Sequence, residues 1–543
     1  TVRSGLLNKN EAAASGGAVA FSGEGGSLTL DGVSLTGNKA GNGGAVFSGS
    51  AKVKIRGGSL SENEAKASGG AISAASASGG AVPFEITGGA VFASNRAKTG
   101  GALSVSGSIA FSMTGGRIEK NSAESGSALR VSGAEATLSS VQVKENAGSA
   151  LVADGKTLLL TDTIIEKNDG FGVDVRSGSV TMSGGAIKEN KNSGACIAGG
   201  AFTLKTGEIR GNTGRGNGGG VYISGSDPAK RAAFIMEGGR IEGNKAAKTA
   251  DAAGSGGGVY LAGGAFIMKG GVIAGNEAAK TAGAYSGTGG GVCVERGDFE
   301  MSGGAKVEPS AAPNEHTRGA NDVYLKTGSL ITVTGALTEM TAARITPEGY
   351  AAGTAVVQGG TFALSAEYAQ KFAVTKQGSD TYWMLKQTGN SLTLQRPNAP
   401  IDGNKGGTWK MLKDAVADAA DGDEIIVKGE LKATAAAGDN GAIAVTKQIS
   451  IAGEGAGAVL NANGVTGGKP AHRIFTVKTG AKLMLKNVAL KGGVAEGGAE
   501  ADKRGGGILV DGGALSLNGA KIEGSKAATS GGGIFVGEGG SVS

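Results

Sequence analysis

Apolar residues recur along the chain at a fixed distance from asparagine. Eleven asparagines follow one another at intervals of 22 to 32 residues, and an apolar residue stands three positions before each of them. This pairing of one apolar and one amide side chain marks an internal repeat. The eleven asparagines are Asn10, Asn38, Asn63, Asn95, Asn121, Asn146, Asn168, Asn190, Asn212, Asn244 and Asn276.

Each repeat also contains short segments in which apolar residues alternate with other residues. A small, glycine-rich step after the asparagine leads to one such segment, for example Val221-Tyr222-Ile223. A further segment follows along the chain, as in Phe202-Thr203-Leu204. Period-two alternation is typical of a β-strand with one buried face. With the segment that precedes the asparagine, every repeat supplies about three short strands.

No single repeat can bury the apolar face of its own strands. Stacking successive repeats in register pairs equivalent strands and joins their inward columns into one core. Crossovers between parallel strands are right-handed by default. The sequence therefore predicts an all-β fold, a right-handed parallel β-helix with about three strands per coil. Intervals of 22 residues fit one coil, and the longer intervals fit a coil plus an outward loop, as at 246–253.

The asparagine column has a mechanical interpretation. Asparagine tolerates the left-handed backbone conformation, and its amide bonds neighbouring backbone groups at a turn. Stacked in equivalent turns, these amides are expected to hydrogen-bond along the rod, and a ligand-binding ladder is the alternative. The glycine pairs supply turns that a Cβ would obstruct, and they lack the strand-to-helix context of a phosphate loop.

The alternation also places four side chains in one outward column. Tyr222 and Tyr260 form the candidate exposed contact column. Cys196 and Cys293 share this column, three coils apart, which at about 4.8 Å per coil is beyond disulfide reach. We therefore expect two free, partly exposed thiols.

The repeat signature stops after Asn276 and returns near the end of the chain. Thr408 is expected to N-cap a short helix through Ala420. The glycine-rich step returns at Gly505-Gly506-Gly507-Ile508, with Ser525 in the asparagine column, and we expect the native chain to continue beyond this start. The predicted segments are a β-helix over 1–325, a strand-rich closing region over 326–396, a linker over 397–407 and the helix-capped start of a second β-helix over 408–543.

Composition favours a repeat array over other chains rich in glycine. The 543 residues include 105 Gly and 8 Pro without a strict three-residue period, which excludes collagen. The net charge is +6, with Lys and Arg spread among Asp and Glu, so the clustered basic face of a nucleic-acid binder is not indicated. We assign this mild charge to solubility, with an acidic glycan or lipid surface as the alternative.

Catalysis is the main rival interpretation, because many parallel β-helices are polysaccharide lyases or hydrolases. Such sites need clustered carboxylates. The alignment places Asp154 and Asp174 near Arg176. We interpret this group as a solvated ion pair rather than a catalytic site. His316 and His472 are single, without metal-ligand spacing. No catalytic, cofactor or metal residue is predicted. The densest acidic group, interpreted as solvated rather than metal-binding, is Asp414, Asp418, Asp421 and Asp423.

Two short motifs resemble those of a known family. The chain contains Gly16-Gly17-Ala18-Val19 and Gly100-Gly101-Ala102-Leu103, together with Phe92-Ala93-Ser94-Asn95. They resemble the paired Gly-Gly-Ala-aliphatic and Phe-x-x-Asn motifs of the chlamydial polymorphic outer-membrane proteins. The repeats are more broadly similar to bacterial autotransporter passengers, over about 1–325 and 480–543. Most asparagine motifs of this chain begin instead with Ile, Leu or Val. The resemblance implies a right-handed β-helix displayed outside the cell, typically for adhesion.

The repeats and the resemblance predict a non-catalytic, extracellular protein of the bacterial surface. It would be a rod-like adhesin or passenger whose loops bind a host or neighbouring-cell protein or glycan. One alternative is a structural spacer or self-assembling filament or surface-layer component, whose partner is another copy of the chain. The other is a polysaccharide lyase or hydrolase. We expect no cofactor and no nucleic-acid partner, and membrane attachment only through segments outside this sequence.

Overall fold

The computed structural model divides the chain into two compact units, Thr1–Gln395 and Arg396–Ser543. Each unit is described by itself. The residues described are 1–543 except 23–24, 78–79, 226–230, 248–253, 280–286, 310–321, 376–382, 396–399, 420, 437, 456 and 463–471.

The first unit is a right-handed parallel β-helix, which confirms the predicted fold class. Each coil contributes strands to three faces, named A, B and C in their order after the asparagine turn. Equivalent strands pair in parallel and in register, so that Val221, Tyr222 and Ile223 lie beside Val259, Tyr260 and Leu261 of the next coil. Inward side chains of all three faces meet in one continuous core.

Three long strands run through more than one face. Leu151–Thr161 belongs to faces A and B, Val173–Lys188 to all three, and Ala201–Arg210 to B and C. The other strands of face A are Val19–Phe21, Val46–Gly49, Ile72–Ser76, Leu103–Gly107, Leu129–Ser132, Ala195–Ile197, Val221–Ile223, Val259–Leu261, Val292–Val294, Val323–Leu325, Ala343–Pro347 and Phe372–Val374. Those of face B are Val2–Arg3, Ser27–Asp31, Lys52–Arg56, Val82–Thr87, Ile109–Thr114, Glu135–Ser139, Ala233–Met236, Ala265–Met268, Asp298–Gly303, Ile331–Leu337 and Ala355–Gly359. Those of face C are Leu6–Asn8, Ser34–Thr36, Ser59–Ser61, Val91–Ala93, Arg117–Glu119, Gln142–Lys144, Ile164–Glu166, Arg240–Glu242, Val272–Ala274 and Lys306–Val307.

Short strands also line the corner that follows the asparagine turn. They occur where the coil is longer than 22 residues, and they pair in parallel between neighbouring coils. These corner strands are Lys39–Asn42, Glu64–Ser68, Thr213–Gly214, Lys245–Ala246 and Glu277–Ala278.

The asparagine column is a continuous hydrogen-bonded ladder. In Asn190, the backbone N and Nδ2 both donate to Oδ1 of Asn212, at 3.0 and 2.9 Å. Its Nδ2 also donates to the carbonyl oxygen of Ile165, at 3.2 Å, and its Oδ1 accepts two bonds from Asn168. The same side-chain bond links each successive pair from Asn10 to Asn276. From Asn38 to Asn276 the ladder therefore fills the turn of each coil with buried, hydrogen-bonded polar groups.

The left-handed residue of each turn is not the asparagine, as expected from the sequence, but the residue before it. Lys9, Glu62 and Glu189 have φ values of 53°, 56° and 55°, whereas no ladder asparagine has a positive φ. Glycine occupies this position before Asn38 and Asn212. The asparagine has to keep an ordinary backbone because its own N–H points along the ladder at the next amide oxygen.

Aromatic residues stack in the core beneath face B. Phe202, Phe234, Phe266 and Phe299 occupy equivalent inward positions on four coils, with ring centroids 5.8, 5.4 and 4.9 Å apart, and all four are fully buried. Registered strands force equal side chains into contact at this spacing, and aromatic rings fill the column without voids.

Coils of the β-helix continue past 325, where the sequence predicted a closing region. Ile331–Leu337 pairs in parallel with Asp298–Gly303, and Ala355–Gly359 pairs in parallel with Ile331–Leu337. Ser391–Gln395 then pairs antiparallel with Ala355–Gly359 and with Met384–Thr388. A 3₁₀ helix, Ala366–Gln370, lies between these strands in the chain. The parallel array of the first unit thus ends in an antiparallel hairpin, which occupies an edge that would otherwise be open to pairing.

The second unit begins with a helix that packs on its own parallel coils. The helix runs from Trp409 to Asp418, and the Thr408 hydroxyl caps it by accepting a hydrogen bond from Met411 N at 3.2 Å. Trp409, Leu412 and Val416 are buried in a core separate from that of the first unit. The predicted N-cap is therefore confirmed, while Ala420 lies outside the described residues.

Part of the predicted linker belongs to this second unit. Ile401–Asp402 pairs in parallel with Glu424–Lys428, and a 3₁₀ turn, Gly403–Lys405, follows it. Residues 397–399 lie outside the described part. The remaining strands are Glu430–Lys432, Ile443–Val445, Gln448–Gly453, Val459–Asn461, Phe475–Lys478, Lys482–Lys486, Ala489–Lys491, Val494–Ala495, Ile508–Asp511, Ala514–Asn518, Lys521–Glu523, Lys526–Ala527, Ile534–Val536 and Ser541–Val542, with a 3₁₀ turn at Glu500–Lys503.

Candidate binding face

Face A of the first unit holds the predicted outward column. Cys196, Tyr222, Tyr260 and Cys293 stand side by side on four successive coils, and we name these four residues the tyrosine column. The two tyrosine rings are parallel, with centroids 5.6 Å apart and an interplanar angle of 3°. The alignment read from the sequence therefore placed the four side chains correctly along the rod.

The expected exposure of this column is wrong for Tyr260 and holds only in part for Tyr222. Tyr260 is only 9 % exposed and Tyr222 is half-buried, because each ring is covered by its neighbours in the column. Burial raises the pKa of both phenols. The faces of the two rings that lie against each other are therefore closed to a ligand.

The two cysteines are free but buried, contrary to the expectation of partly exposed thiols. Cys196 is 8 % exposed and Cys293 is 1 % exposed. Burial raises the pKa of each thiol to about 12, and the nearby Asp174 carboxylate acts in the same direction on Cys196. The thiolate, which is the reactive form, is therefore scarce at neutral pH.

We expect both thiols to resist alkylation in the folded protein. At pH 8, iodoacetamide should label Cys196 and Cys293 at least about a hundredfold more slowly than in guanidinium chloride, because burial limits both access and the thiolate fraction. Peptide mass spectrometry after timed quenching measures each site. Equal labelling rates in the folded and unfolded protein would contradict the buried column.

An ion-pair cluster borders the column on its N-terminal side. Asp174 pairs with Arg176 at 3.0 Å, while Asp154 pairs with Arg130 at 3.2 Å and accepts a bond from Ser177. Burial raises the pKa of Asp174, and the charge of Arg176 opposes this rise. Of the two approaches to Arg176 expected from the sequence, that of Asp174 is observed as an ion pair, whereas Asp154 pairs instead with Arg130.

A shallow groove of about 540 Å³ crosses four coils on face B. Its lining includes Glu85 and Glu135, together with Ser112, Thr137 and Thr157. A glycosidase needs two facing carboxyl groups, one of them with a raised pKa. Glu85 instead pairs with Lys54 at 2.8 Å, and this hydrogen bond holds the pKa of its carboxyl below the ordinary value. Glu85 is therefore a paired carboxylate without the raised pKa that a general acid needs.

The acidic group of the second unit is dispersed. Asp414 pairs with Lys410 at 2.6 Å, and Asp421 Oδ1 accepts a bond from Gln448 N at 2.7 Å. In the part of the chain that the structure describes, no three His, Cys, Asp or Glu residues gather as a metal site. His472 packs against Trp409, and burial lowers its pKa. His316 lies outside the described residues.

A buried carboxyl that the sequence analysis missed lies at Asp322. Its Oδ2 accepts a hydrogen bond from the Thr346 hydroxyl, which in turn lies 2.7 Å from the Thr375 hydroxyl. Within the described structure its Oδ1 has no hydrogen-bond partner. Complete burial raises the pKa of Asp322 to about 7, against the lowering effects of Thr346 and of the charge on Arg344. Its neighbours are far away in sequence, so no local motif marks the site.

The first unit should become more stable as the pH falls from 8 to 5, through the pKa of Asp322. The folded state keeps a proton on this carboxyl up to about pH 7, whereas the unfolded chain releases it near 3.8. The destabilising charge is therefore present above pH 7 and is relieved as the pH falls toward 3.8. Calorimetry across this range should show a smaller pH dependence for Asp322→Asn than for the wild type. An identical slope in both proteins would refute this role.

The described residues on either side of 248–253 and of 280–286 lie at the corner, ahead of the strands Val259–Leu261 and Val292–Val294 that carry Tyr260 and Cys293. At the first, Ala247 N donates to Gly214 O at 2.9 Å, and a Cβ on Gly254 would clash with the Ala247 carbonyl. At the second, Gly287 N donates to Ala279 O at 3.0 Å. The residues that flank 248–253 and 280–286 thus lie close together, and we name these two sequence segments the corner inserts.

Comparison with known proteins agrees with the fold. Residues 86–230 match the family model described as a right handed beta helix region. No curated protein and no solved structure gives a significant match. No helix in the described part is long and apolar enough to cross a membrane. The coil geometry and the family match together show that the first unit is a right-handed β-helix built from repeated coils.

Proposed function

We propose that the protein is a non-catalytic, rod-like adhesin or passenger of the bacterial surface, which binds a host protein or a glycan. The observation that supports this proposal is the contrast between the coils and the corner inserts. The coils are locked by parallel strands and by the asparagine ladder, whereas each corner insert adds residues to a coil between flanking residues that lie close together. Binding residues commonly lie on loops held by a rigid scaffold.

The charge distribution also favours binding over catalysis. Acids on the outer surface of the coils are largely neutralised by cations one coil away, for example Glu85 by Lys54, Glu166 by Lys188 and Glu277 by Lys245. Such pairs leave these carboxylates poorly placed to exchange protons with a substrate. Acid–base catalysis instead needs carboxyl groups with pKa values set apart by their surroundings.

The corner inserts provide the test. Two variants replace 248–253 and 280–286 separately by Gly-Gly, which the closely spaced flanking residues should accommodate. The purified full chain is tested on glycan arrays and on host-cell surface extracts. At least one variant should lose binding about tenfold or more, with an unchanged unfolding temperature. Thr203→Ala, on face B, is the control and should bind like the wild type.

Three results would overturn the proposal. Unchanged binding in both insert variants would remove the inserts as the contact surface. End-to-end assembly in micrographs without any specific binding would favour a structural spacer or filament. Turnover of an acidic polysaccharide, abolished by a chelator, would favour a lyase.

A further inference from the structure

A second surface feature lies at the same corner, near the N-terminal end of the first unit. A groove of about 440 Å³ runs across three coils there, and its lining is mainly polar. Its side chains come from the corner strand Glu64–Ser68 and from the equivalent positions of the next two coils. The lining residues that carry charge are Glu64, Lys66, Arg96, Lys98 and Glu124.

The cations of this groove differ from most others on the corner. The residue after the ladder asparagine is usually neutralised by its neighbour one coil away, as in Lys39–Glu64, Lys191–Asp169 and Lys245–Glu277, at 3.6, 2.8 and 3.8 Å. By contrast, Lys66, Arg96 and Lys98 form no ion pair with any described carboxylate. All three side chains are exposed.

Backbone pairing holds these three charges close together. The backbones of Glu64 and Arg96 form one β-bridge between neighbouring coils, and those of Ser68 and Thr99 form another. Lys66 and Lys98 lie between these two bridges, on neighbouring coils. Adjacent parallel strands are about 4.8 Å apart. Like charges at this spacing repel one another, and an anion between them would remove that cost. The lining also holds two carboxylates, Glu64, which pairs with Lys39 and stands beside Arg96, and Glu124, so that the three cations remain in excess.

We propose that this groove binds an anionic glycan whose sulfate or carboxylate groups contact Lys66, Arg96 and Lys98. A linear glycan fits an open polar channel that crosses successive coils, because its charged groups can meet cations on more than one coil. Cations on flexible stems at an exposed surface bind such groups by charge rather than by shape. This inference deepens the proposed function and rests on it for the location of the protein at the cell surface. It places the glycan contact outside the corner inserts.

The test uses the full chain and a size-fractionated heparin oligosaccharide, with unsulfated heparosan of equal length to separate sulfate from carboxylate recognition. Calorimetric titration should show binding that weakens as sodium chloride is raised. The triple variant Lys66→Gln, Arg96→Gln, Lys98→Gln should lose about tenfold or more in affinity. Glu124→Gln should bind more tightly than the wild type, because it removes an opposing charge.

A matched triple variant controls for net charge. Lys188→Gln, Lys191→Gln and Lys245→Gln remove three cations that are already paired with carboxylates, so heparin affinity should change less than about twofold. The double variant Lys66→Arg, Lys98→Arg keeps both positive charges and should retain heparin binding. Retained binding would also show that substitution at these positions leaves the fold intact. Absence of heparin binding by the wild type, equal losses in both triple variants, or no loss in the groove variant would each overturn the proposal. Loss of host binding in the insert variants with heparin affinity retained would separate the two sites.

Discussion

Replacing Asn190 with leucine is expected to destabilise the first unit by about 3 kcal/mol, because it removes four of the five ladder bonds at this position. The carbonyl of Ile165 and the backbone N–H of Asn168 would lose a buried partner, and Asn168 Nδ2 would keep its bond to Val143 O but lose the one to Asn190. Thermal unfolding gives the overall loss, and amide hydrogen exchange over 165–212 shows whether opening is confined to these coils, as expected of a repeat array.

Asn192→Leu is the matched control. This side chain lies in the same turn, is half-buried, and accepts bonds from Ser193 N and Arg215 N at 2.9 and 3.3 Å. It should cost no more than about 1 kcal/mol. A loss at Asn190 no larger than the loss at Asn192 would show that the ladder does not hold the coils together.

Replacing Phe234 with alanine should have an effect of equal or greater size. The ring is fully buried between Phe202 and Phe266, and its neighbouring coils are held in register by strand pairing, so they cannot collapse into the space. Large-to-small changes of this kind cost about 3–5 kcal/mol. Denaturant unfolding measures the loss.

Phe47→Ala provides the comparison for this core position. Phe47 projects outward from face A and is half-buried. Its removal should cost less than about 1.5 kcal/mol, since no enclosed cavity forms. Equal losses at Phe47 and Phe234 would mean that stacking in the core column contributes little.

The sequence was sufficient to predict the coil and its ladder because both depend on spacing. The interval between asparagines and the apolar residue three positions earlier reflect one turn of the solenoid. The left-handed position could not be identified in the same way. Lys9, Glu62, Ser94 and Gly211 all occupy it, and these residues share no chemistry that a pattern could reveal.

The alternation of apolar and polar residues also could not predict how deeply the side chains of the outward column are buried. Period two correctly separates the inward Val259 from the outward Tyr260. It does not show that the ring of Tyr222 lies 5.6 Å from that of Tyr260, or that Cys293 covers the other side. Exposure in a solenoid depends on neighbours a whole coil away. The coils beyond 325 were missed because they keep the strand pairing without the asparagine.

The coil length has a mechanical consequence when the β-helix is placed under tension. Each 22-residue coil from Asn146 to Asn212 stores roughly 75 Å of extended chain at about 3.4 Å per residue. It stores this length in an axial step of about 4.8 Å. If tension peels one coil from the end of the stack, the tether lengthens by many times that step while the coils beneath stay folded. The β-helix of the first unit would then extend in discrete steps under load, one coil at a time.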